Sequence, residues 1–110
     1  MDNLWPAYKD ITAERRDGIA LVTLARPTAA NALSGNTVRE LSDALAVVAR
    51  EESLRALVLT GSGAKVFCAG ADLKERRENP GKDWEIRRPL MKFWNDLFFL
   101  QKPLIVAANG

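Results

Sequence analysis

The sequence contains no histidine among its 110 residues. This absence removes Ser-His-Asp triads, Cys-His pairs, histidine zinc sites and the most common general base of enzymes. The sequence also has a single cysteine, Cys68, so it can form neither an internal disulfide nor a metal site made of cysteines alone. Without a histidine to activate it, Cys68 is predicted to be a small packed residue rather than a nucleophile.

Long hydrophobic runs and a strong charge are also missing. The wholly apolar runs are far shorter than the ~20 residues that a bilayer span needs. The opening segment MDNLWPAYKD is acidic and lacks an apolar core, which argues against a signal peptide. A formal net charge of +2 is too small to indicate nucleic acid or an acidic membrane as the partner. We therefore expect a cytoplasmic protein that binds neither.

The composition that remains is typical of a globular domain, with 47% hydrophobic and 27% charged residues. Residues 19–25 (IALVTLA) form a predicted buried strand, which Pro27 closes. Residues 11–15 are predicted to pair with this strand through a turn in which Gly18 adopts the left-handed backbone. Residues 55–61 (RALVLTG) form a further predicted buried strand.

A helical pattern separates these strands. Thr37 and Glu40 have the spacing of a capping box, so we expect a helix to begin at Thr37. Its polar residues, Glu40 among them, are predicted to face away from the core. The predicted apolar stripe consists of Val38, Leu41, Leu45, Val48 and Ala49.

Two helices and a strand are predicted in the second half of the chain. A short helix opens at Asp72, and a second helix is started or kinked at Pro89. Residues 103–110 form a third predicted buried strand. The alternation of strands and helices predicts an α/β fold with a parallel sheet. Because an α/β unit normally continues after such a strand, we expect the chain to be the first part of a larger domain.

The segment FCAGADLKE, residues 67–75, contains small residues immediately before a predicted helix start. Small residues let a ligand approach the main chain, and the N–H groups at a helix start favour negative charge. The N–H groups of Ala69 and Gly70 are therefore candidates for an oxyanion hole. The alternative is ordinary architecture, since Asp72 and Glu75 also have the spacing of a capping box. The local spacing does not decide between these interpretations.

Three ordered segments, DGIALVTLARPTAANALS, LRALVLTGSGAKVFCAGADLKE and QKPLIVAANG, resemble the crotonase superfamily, the enoyl-CoA hydratase/isomerase family. The resemblance extends from about Ile11 to Gly110. It implies a crotonase-like core made of a spiral of ββα units, apparently truncated, with residues 1–110 as the N-terminal part of one domain.

The resemblance also implies the site. The N–H of Ala69 matches one of two family donors to the thioester oxygen of an acyl-CoA. The second donor and the acid/base glutamates of hydratases match positions beyond Gly110. No further cofactor is implied, because coenzyme A is part of the substrate. The segments implied to bind coenzyme A comprise Ala29, Ala30, Asn31, Ala69, Gly70, Ala71, Asp72 and Leu73.

The implied activity is hydration of a trans-2-enoyl-CoA to a 3-hydroxyacyl-CoA in the complete protein, as a homotrimer or homohexamer. Isomerisation of enoyl-CoA, dehydration and thioester hydrolysis remain alternatives within the family. A protein that binds acyl-CoA without turnover is a further alternative. An RNA-binding relative would need a basic helix, whereas the first predicted helix balances Arg39 and Arg50 against Glu40 and Asp43.

Overall fold

The computed structural model describes residues 4–110 and contains one mixed sheet. Its strands lie side by side in chain order: β1 (Ile11–Arg16), β2 (Ile19–Leu24), β3 (Ala56–Gly61) and β4 (Leu104–Ala107). β1 and β2 are antiparallel, whereas β2 and β3, and then β3 and β4, run parallel. The predicted α/β class and the parallel pairing through helical connections are confirmed.

Helices cover the sheet and fill its connections. Helix α1 (Gly35–Arg50) joins β2 to β3, and helices α2 (Leu73–Glu78) and α3 (Asp83–Phe98) join β3 to β4. α1 packs against both β1 and α3. Full burial of one large aliphatic side chain contributes about 1.5–3 kcal/mol, so this shared core holds the elements together. The core residues include Val22, Leu24, Leu41, Leu45, Leu57, Leu59, Phe93 and Leu97.

The turn between β1 and β2 differs from its prediction in one detail. Asp17, not Gly18, adopts the positive φ, at 55°. Aspartate tolerates this conformation better than most residues because its short polar side chain can hydrogen-bond locally. Gly18 instead leaves room for the guanidinium of Arg55, whose Nε would lie 2.6 Å from a Cβ at position 18.

Helix α1 begins earlier than its sequence pattern predicted. Ser34 is the N-cap, and its hydroxyl accepts a hydrogen bond of 3.2 Å from the N–H of Thr37. The predicted capping box at Thr37 is therefore wrong. Glu40 is buried rather than solvent-facing, because it accepts hydrogen bonds from the N–H groups of Lys9 and Asp10. Ala49 is exposed, and Ala44 and Val47 complete the buried face instead.

The second half of the chain also departs from prediction. α3 runs from Asp83 to Phe98 with Pro89 inside it, so of the two predicted alternatives a helix that starts at Pro89 is wrong. β4 is shorter than predicted, and all four of its residues are exposed instead of buried. A parallel strand buries both faces only where helices cover both, and residues 4–110 supply no such cover for β4. No helix within these residues has the length and apolar character needed to cross a bilayer.

Candidate active site

The candidate site lies where the parallel strands end. The segment after β2 forms a 3-10 turn (Pro27–Ala29), followed by Ala30 and Asn31, each with a φ of 53°. The segment after β3 runs from Ser62 to the start of α2. The carboxyl ends of parallel strands are the usual place for ligand sites in α/β sheets.

These two loops are hydrogen-bonded to each other. The N–H of Ala69 donates to the carbonyl of Ala30 at 3.0 Å, and the N–H of Leu33 donates to the carbonyl of Gly70 at 2.7 Å. The N–H of Asp72 donates back to the carbonyl of Leu33 at 3.1 Å. The structure thus brings residues 29–31 and 69–73, the two predicted coenzyme segments, into one place.

Asn31 joins the loops through its side chain. Its Oδ1 accepts from the N–H of Arg26 at 2.9 Å, and its Nδ2 donates to the carbonyls of Ser62 and Val66 at 3.1 and 3.0 Å. Only 1% of Asn31 is exposed. Because both amide hydrogens are used internally, this side chain holds the loops together.

A groove of about 460 Å³ lies between the loops. Ala30 forms one wall, and the exposed cation Lys65 stands on the other. Among the other predicted residues, Ala29 lies in the adjoining 3-10 turn and Leu73 is exposed at the start of α2. The groove wall comprises Pro27, Thr28, Ala30, Asn31, Ser62, Gly63, Ala64, Lys65 and Val66.

The peptide N–H groups of residues 69–72, which include the predicted donor Ala69, differ in whether they already have an acceptor. The N–H of Ala69 is engaged by the Ala30 carbonyl, and the N–H of Gly70 lies 3.4 Å from the Sγ of Cys68. Neither group is free to donate to a ligand in this arrangement. Ala71 pairs with Leu33 as an isolated parallel bridge. Its two hydrogen bonds join Leu33 to the carbonyl of Gly70 and to the N–H of Asp72, so the bridge does not use the N–H of Ala71. Within residues 4–110, no hydrogen-bond acceptor is found for the N–H of Ala71.

Ala71 also borders a small cavity of about 90 Å³. Leu33, Val38, Ile86 and Leu90 give this cavity apolar walls. Arg76 also lines the cavity. Its Nε is buried and has no hydrogen-bond partner among the described residues. Ala71, whose N–H has no acceptor within residues 4–110, thus lines a cavity with mainly apolar walls and two arginines, Arg76 and Arg87.

The segment after Ala71 is fixed by Asp72. Its Oδ1 accepts from the N–H of Glu75 at 3.1 Å, which confirms Asp72 as the helix cap. This hydrogen bond from Glu75 is the main cause of the lowered pKa of Asp72, and the guanidinium of Arg26 lowers that pKa further against the opposing effect of burial. The Glu75 carboxylate does not complete the capping box, since it accepts from the N–H of Gly35 at 2.9 Å.

The other carboxylates around the loops are engaged as well. Asp10 accepts from the hydroxyl of Thr37 and the amide of Asn36, each at 2.9 Å. Burial opposes ionisation of Asp10, but these two hydrogen bonds and the charge of Arg26 together lower its pKa. Across residues 4–110, no cluster of histidine, cysteine, aspartate and glutamate side chains is arranged to hold a metal ion.

Sequence analysis did not single out Arg26, and its candidate donor, the N–H of Ala69, has an internal acceptor in the structure. The available signal for Arg26 is its place in the sequence, directly between the predicted buried strand and Pro27. Which N–H groups of residues 69–72 keep no internal acceptor depends on the bridge between Leu33 and Ala71, and this pairing joins residues 38 positions apart (71 − 33).

Comparison with known proteins identifies the family. The sequence model of the enoyl-CoA hydratase/isomerase family matches residues 14–110. A mitochondrial enoyl-CoA hydratase from Pongo abelii is 38% identical over 106 residues, which are 94% of this chain and 36% of the relative. A short-chain-enoyl-CoA hydratase from Clostridium acetobutylicum is 35% identical over 104 residues, which are 92% of this chain and 39% of the relative.

Solved structures agree with the sequence matches. The enoyl-CoA hydratase of Bacillus anthracis superposes with a TM-score of 0.89 at 32% identity, covering 93% of this chain and 40% of that one. DspI of Pseudomonas aeruginosa gives a TM-score of 0.90 at 27% identity, covering 100% of this chain and 42% of that one. The chain thus spans about two fifths of the length of these relatives. The chain belongs to the enoyl-CoA hydratase/isomerase family of the crotonase superfamily, whose N-terminal portion it matches.

Proposed function

We propose that these residues form the thioester-binding half of an enzyme that hydrates trans-2-enoyl-CoA to 3-hydroxyacyl-CoA. The observation that carries the proposal is the N–H of Ala71, which has no acceptor within residues 4–110 and borders an apolar cavity. Family membership supports acyl-CoA thioesters as the substrate class.

The chemistry follows from this donor. The thioester oxygen of the bound acyl-CoA accepts a hydrogen bond from the Ala71 N–H. As water adds at carbon-3, electrons move onto this oxygen and an enolate forms, and the donor stabilises its charge. Protonation at carbon-2 then returns the thioester. One such donor typically contributes about 10²–10³ in kcat.

The acid and base of this reaction are not assigned to residues 4–110. Asp10, Glu40, Asp72 and Glu75 each accept internal hydrogen bonds that hold loops or helix ends. Their roles are therefore structural in this proposal. General acid/base help is worth about 10²–10⁴-fold, so the half-site alone is expected to bind acyl-CoA with little turnover.

Coenzyme A is proposed to lie along the groove between the two loops. Ala30 offers a small side chain in its wall, and its carbonyl accepts from the N–H of Ala69, which directly precedes residues 70–73. The exposed cation Lys65 lines this groove and suits the negative phosphates of the coenzyme. A homotrimeric or homohexameric complete protein in the cytoplasm remains a prediction.

The test is crotonyl-CoA hydration by the full-length protein, followed through the loss of the ultraviolet absorbance of the conjugated thioester. Ala71→Pro removes the N–H and is expected to lower kcat at least 100-fold. Ala71→Gly keeps the N–H and is the matched control. Near-normal turnover by a folded Ala71→Pro variant would refute the assigned donor. Conversion of a 3-enoyl-CoA instead of crotonyl-CoA would favour isomerisation, which uses the same enolate.

A further inference from the structure

Arg26 connects three parts of the molecule through one side chain. Its Nη1 donates to the carbonyl of Ala32 at 2.7 Å, and both Nη1 and Nη2 lie 3.3 Å from Oδ2 of Asp72. Its Nε lies 3.9 Å from Oδ1 of Asp10. The side chain is 24% exposed, and those of Asp72 and Asp10 are 14% and 10% exposed.

Each of these contacts reaches a different element. Asp72 follows Ala71 directly and caps α2. Asp10 is tied to the first turn of α1 through Thr37, and its own carbonyl accepts from the N–H of Ala25 at 2.8 Å. The guanidinium therefore connects the peptide after the donor to the end of β2 and the start of α1.

The geometry needs an arginine. A planar guanidinium offers five N–H donors in a fixed fork, whereas an ammonium is a compact point charge. Here Nη1 and Nη2 donate to the carbonyl of Ala32 and the carboxylate of Asp72, while Nε lies near the carboxylate of Asp10. A lysine at position 26 would keep the charge but lose this simultaneous engagement.

We propose that Arg26 is a positioning residue that fixes the direction of the Ala71 N–H through Asp72 and Ala32. The proposal rests on the proposed function of that N–H. Without the fork, Asp72 and the Ala32 carbonyl lose a shared partner, and the bridge between Leu33 and Ala71 is held at fewer points. A displacement of about 1 Å at a reacting centre can cost about 10²-fold in rate.

The test compares Arg26→Met, Arg26→Lys and the exposed control Arg16→Met in the full-length protein. Arg26→Met is expected to lower kcat for crotonyl-CoA about 100-fold and Arg26→Lys about 10-fold, with KM changed less than about threefold. Arg16→Met is expected to match the parent. A loss confined to protein yield or unfolding, with kcat per folded molecule unchanged in Arg26→Lys, would overturn the positioning role.

A spectroscopic readout separates positioning from simple stability. The carbonyl stretch of bound ¹³C-carbonyl butyryl-CoA falls in frequency when the oxygen accepts a hydrogen bond. We expect Arg26→Lys and Arg26→Met to lose much of this fall, in the same sense as Ala71→Pro. A full fall in both Arg26 variants would overturn the inference while leaving the proposed function intact. No fall in the parent protein would overturn both.

Discussion

At the scale of single residues, Asn31 shows how one side chain can hold two loops together. Its amide satisfies one N–H and two carbonyls of neighbouring loops while only 1% of the residue is exposed. Its backbone has a φ of 53°, a conformation in which asparagine is several-fold enriched among residues other than glycine. Side-chain bonding and backbone preference therefore select the same residue.

Replacement of Asn31 tests this role. Asn31→Ala leaves three partly buried backbone groups without this partner and is expected to lower the free energy of unfolding by about 3 kcal/mol. Asn31→Gly loses the same hydrogen bonds but tolerates the positive φ, so it should be less destabilised by about 1 kcal/mol. Urea unfolding measures both, with the exposed Asn95→Ala as control. Equal stability of Asn31→Ala and the parent would contradict the interpretation.

At the scale of elements, the start of α1 shows a limit of local sequence patterns. Ser34 and Thr37 are both typical capping residues, and the spacing of Thr37 and Glu40 fits a capping box. The carboxylate of Glu40 instead accepts hydrogen bonds from the N–H groups of Lys9 and Asp10, some 30 residues away along the chain. The helix therefore begins at the earlier cap, while the hydroxyl of Thr37 donates to Asp10.

The earlier cap gives a direct prediction. Ser34→Ala removes the side-chain acceptor for the Thr37 N–H and is expected to destabilise the protein by about 1 kcal/mol. Ser42→Ala, in the interior of the same helix, is the control and is expected to be neutral or slightly stabilising. The two midpoints of urea unfolding give the comparison. If Ser42→Ala is the more destabilised variant, the assignment of Ser34 as the N-cap is wrong.

The periodicity of apolar residues predicted β2, β3 and α1 well because it reflects which side chains are buried. The residues that bury these three elements lie within residues 4–110. The alternation of Ala20, Val22 and Leu24 puts them in the core. The same reasoning failed at β4. Its apolar residues predict a buried strand, but no part of residues 4–110 covers them. The small residues and the family resemblance predicted that residues 29–31 and 69–73 lie together, as they do, but the backbone pairing that leaves the Ala71 N–H without an acceptor in residues 4–110 is encoded by no local pattern.

At the scale of the whole molecule, the described residues carry a large exposed apolar surface on α3 and β4. Trp94, Phe98 and Phe99 are 49%, 81% and 67% exposed, and Ile105 of β4 is 56% exposed. Exposed apolar patches and a bare strand edge both favour association with another polypeptide. This surface is therefore expected to be a contact region for another polypeptide.

The chain of residues 1–110 expressed alone is accordingly expected to associate with itself. Its weight-average mass in sedimentation equilibrium should rise with concentration above the 12.2 kDa of the chain. Ile105→Lys places a charge on the exposed strand and should reduce this association. Arg16→Glu, on the opposite edge of the sheet at β1, is the control. A monomer at all concentrations in the parent chain would contradict the expectation.

The network around Arg26 also makes the stability of the whole molecule depend on pH. The pKa values of Asp10 and Asp72 are both lowered in the folded state, so these carboxylates bind protons less readily there than in the unfolded chain. Their stabilisation is present above the unfolded pKa of about 3.9 and is lost as the pH falls through the folded values. Glu51, whose pKa is lowered by hydrogen bonds from Ser53, acts in the same direction from an exposed position.

The free energy of unfolding should therefore be nearly constant between about pH 5 and 7 and fall steadily below about pH 4. Asp10→Asn should be less stable at pH 7, because Arg26 loses a counter-charge and Thr37 a charged acceptor. It should also lose less stability than the parent on acidification, since one of the titrating groups is gone. Urea unfolding at a series of pH values measures this difference, with the exposed Glu78→Gln as control. Parallel pH profiles for Asp10→Asn and the parent would show that Asp10 is not a source of the acid sensitivity.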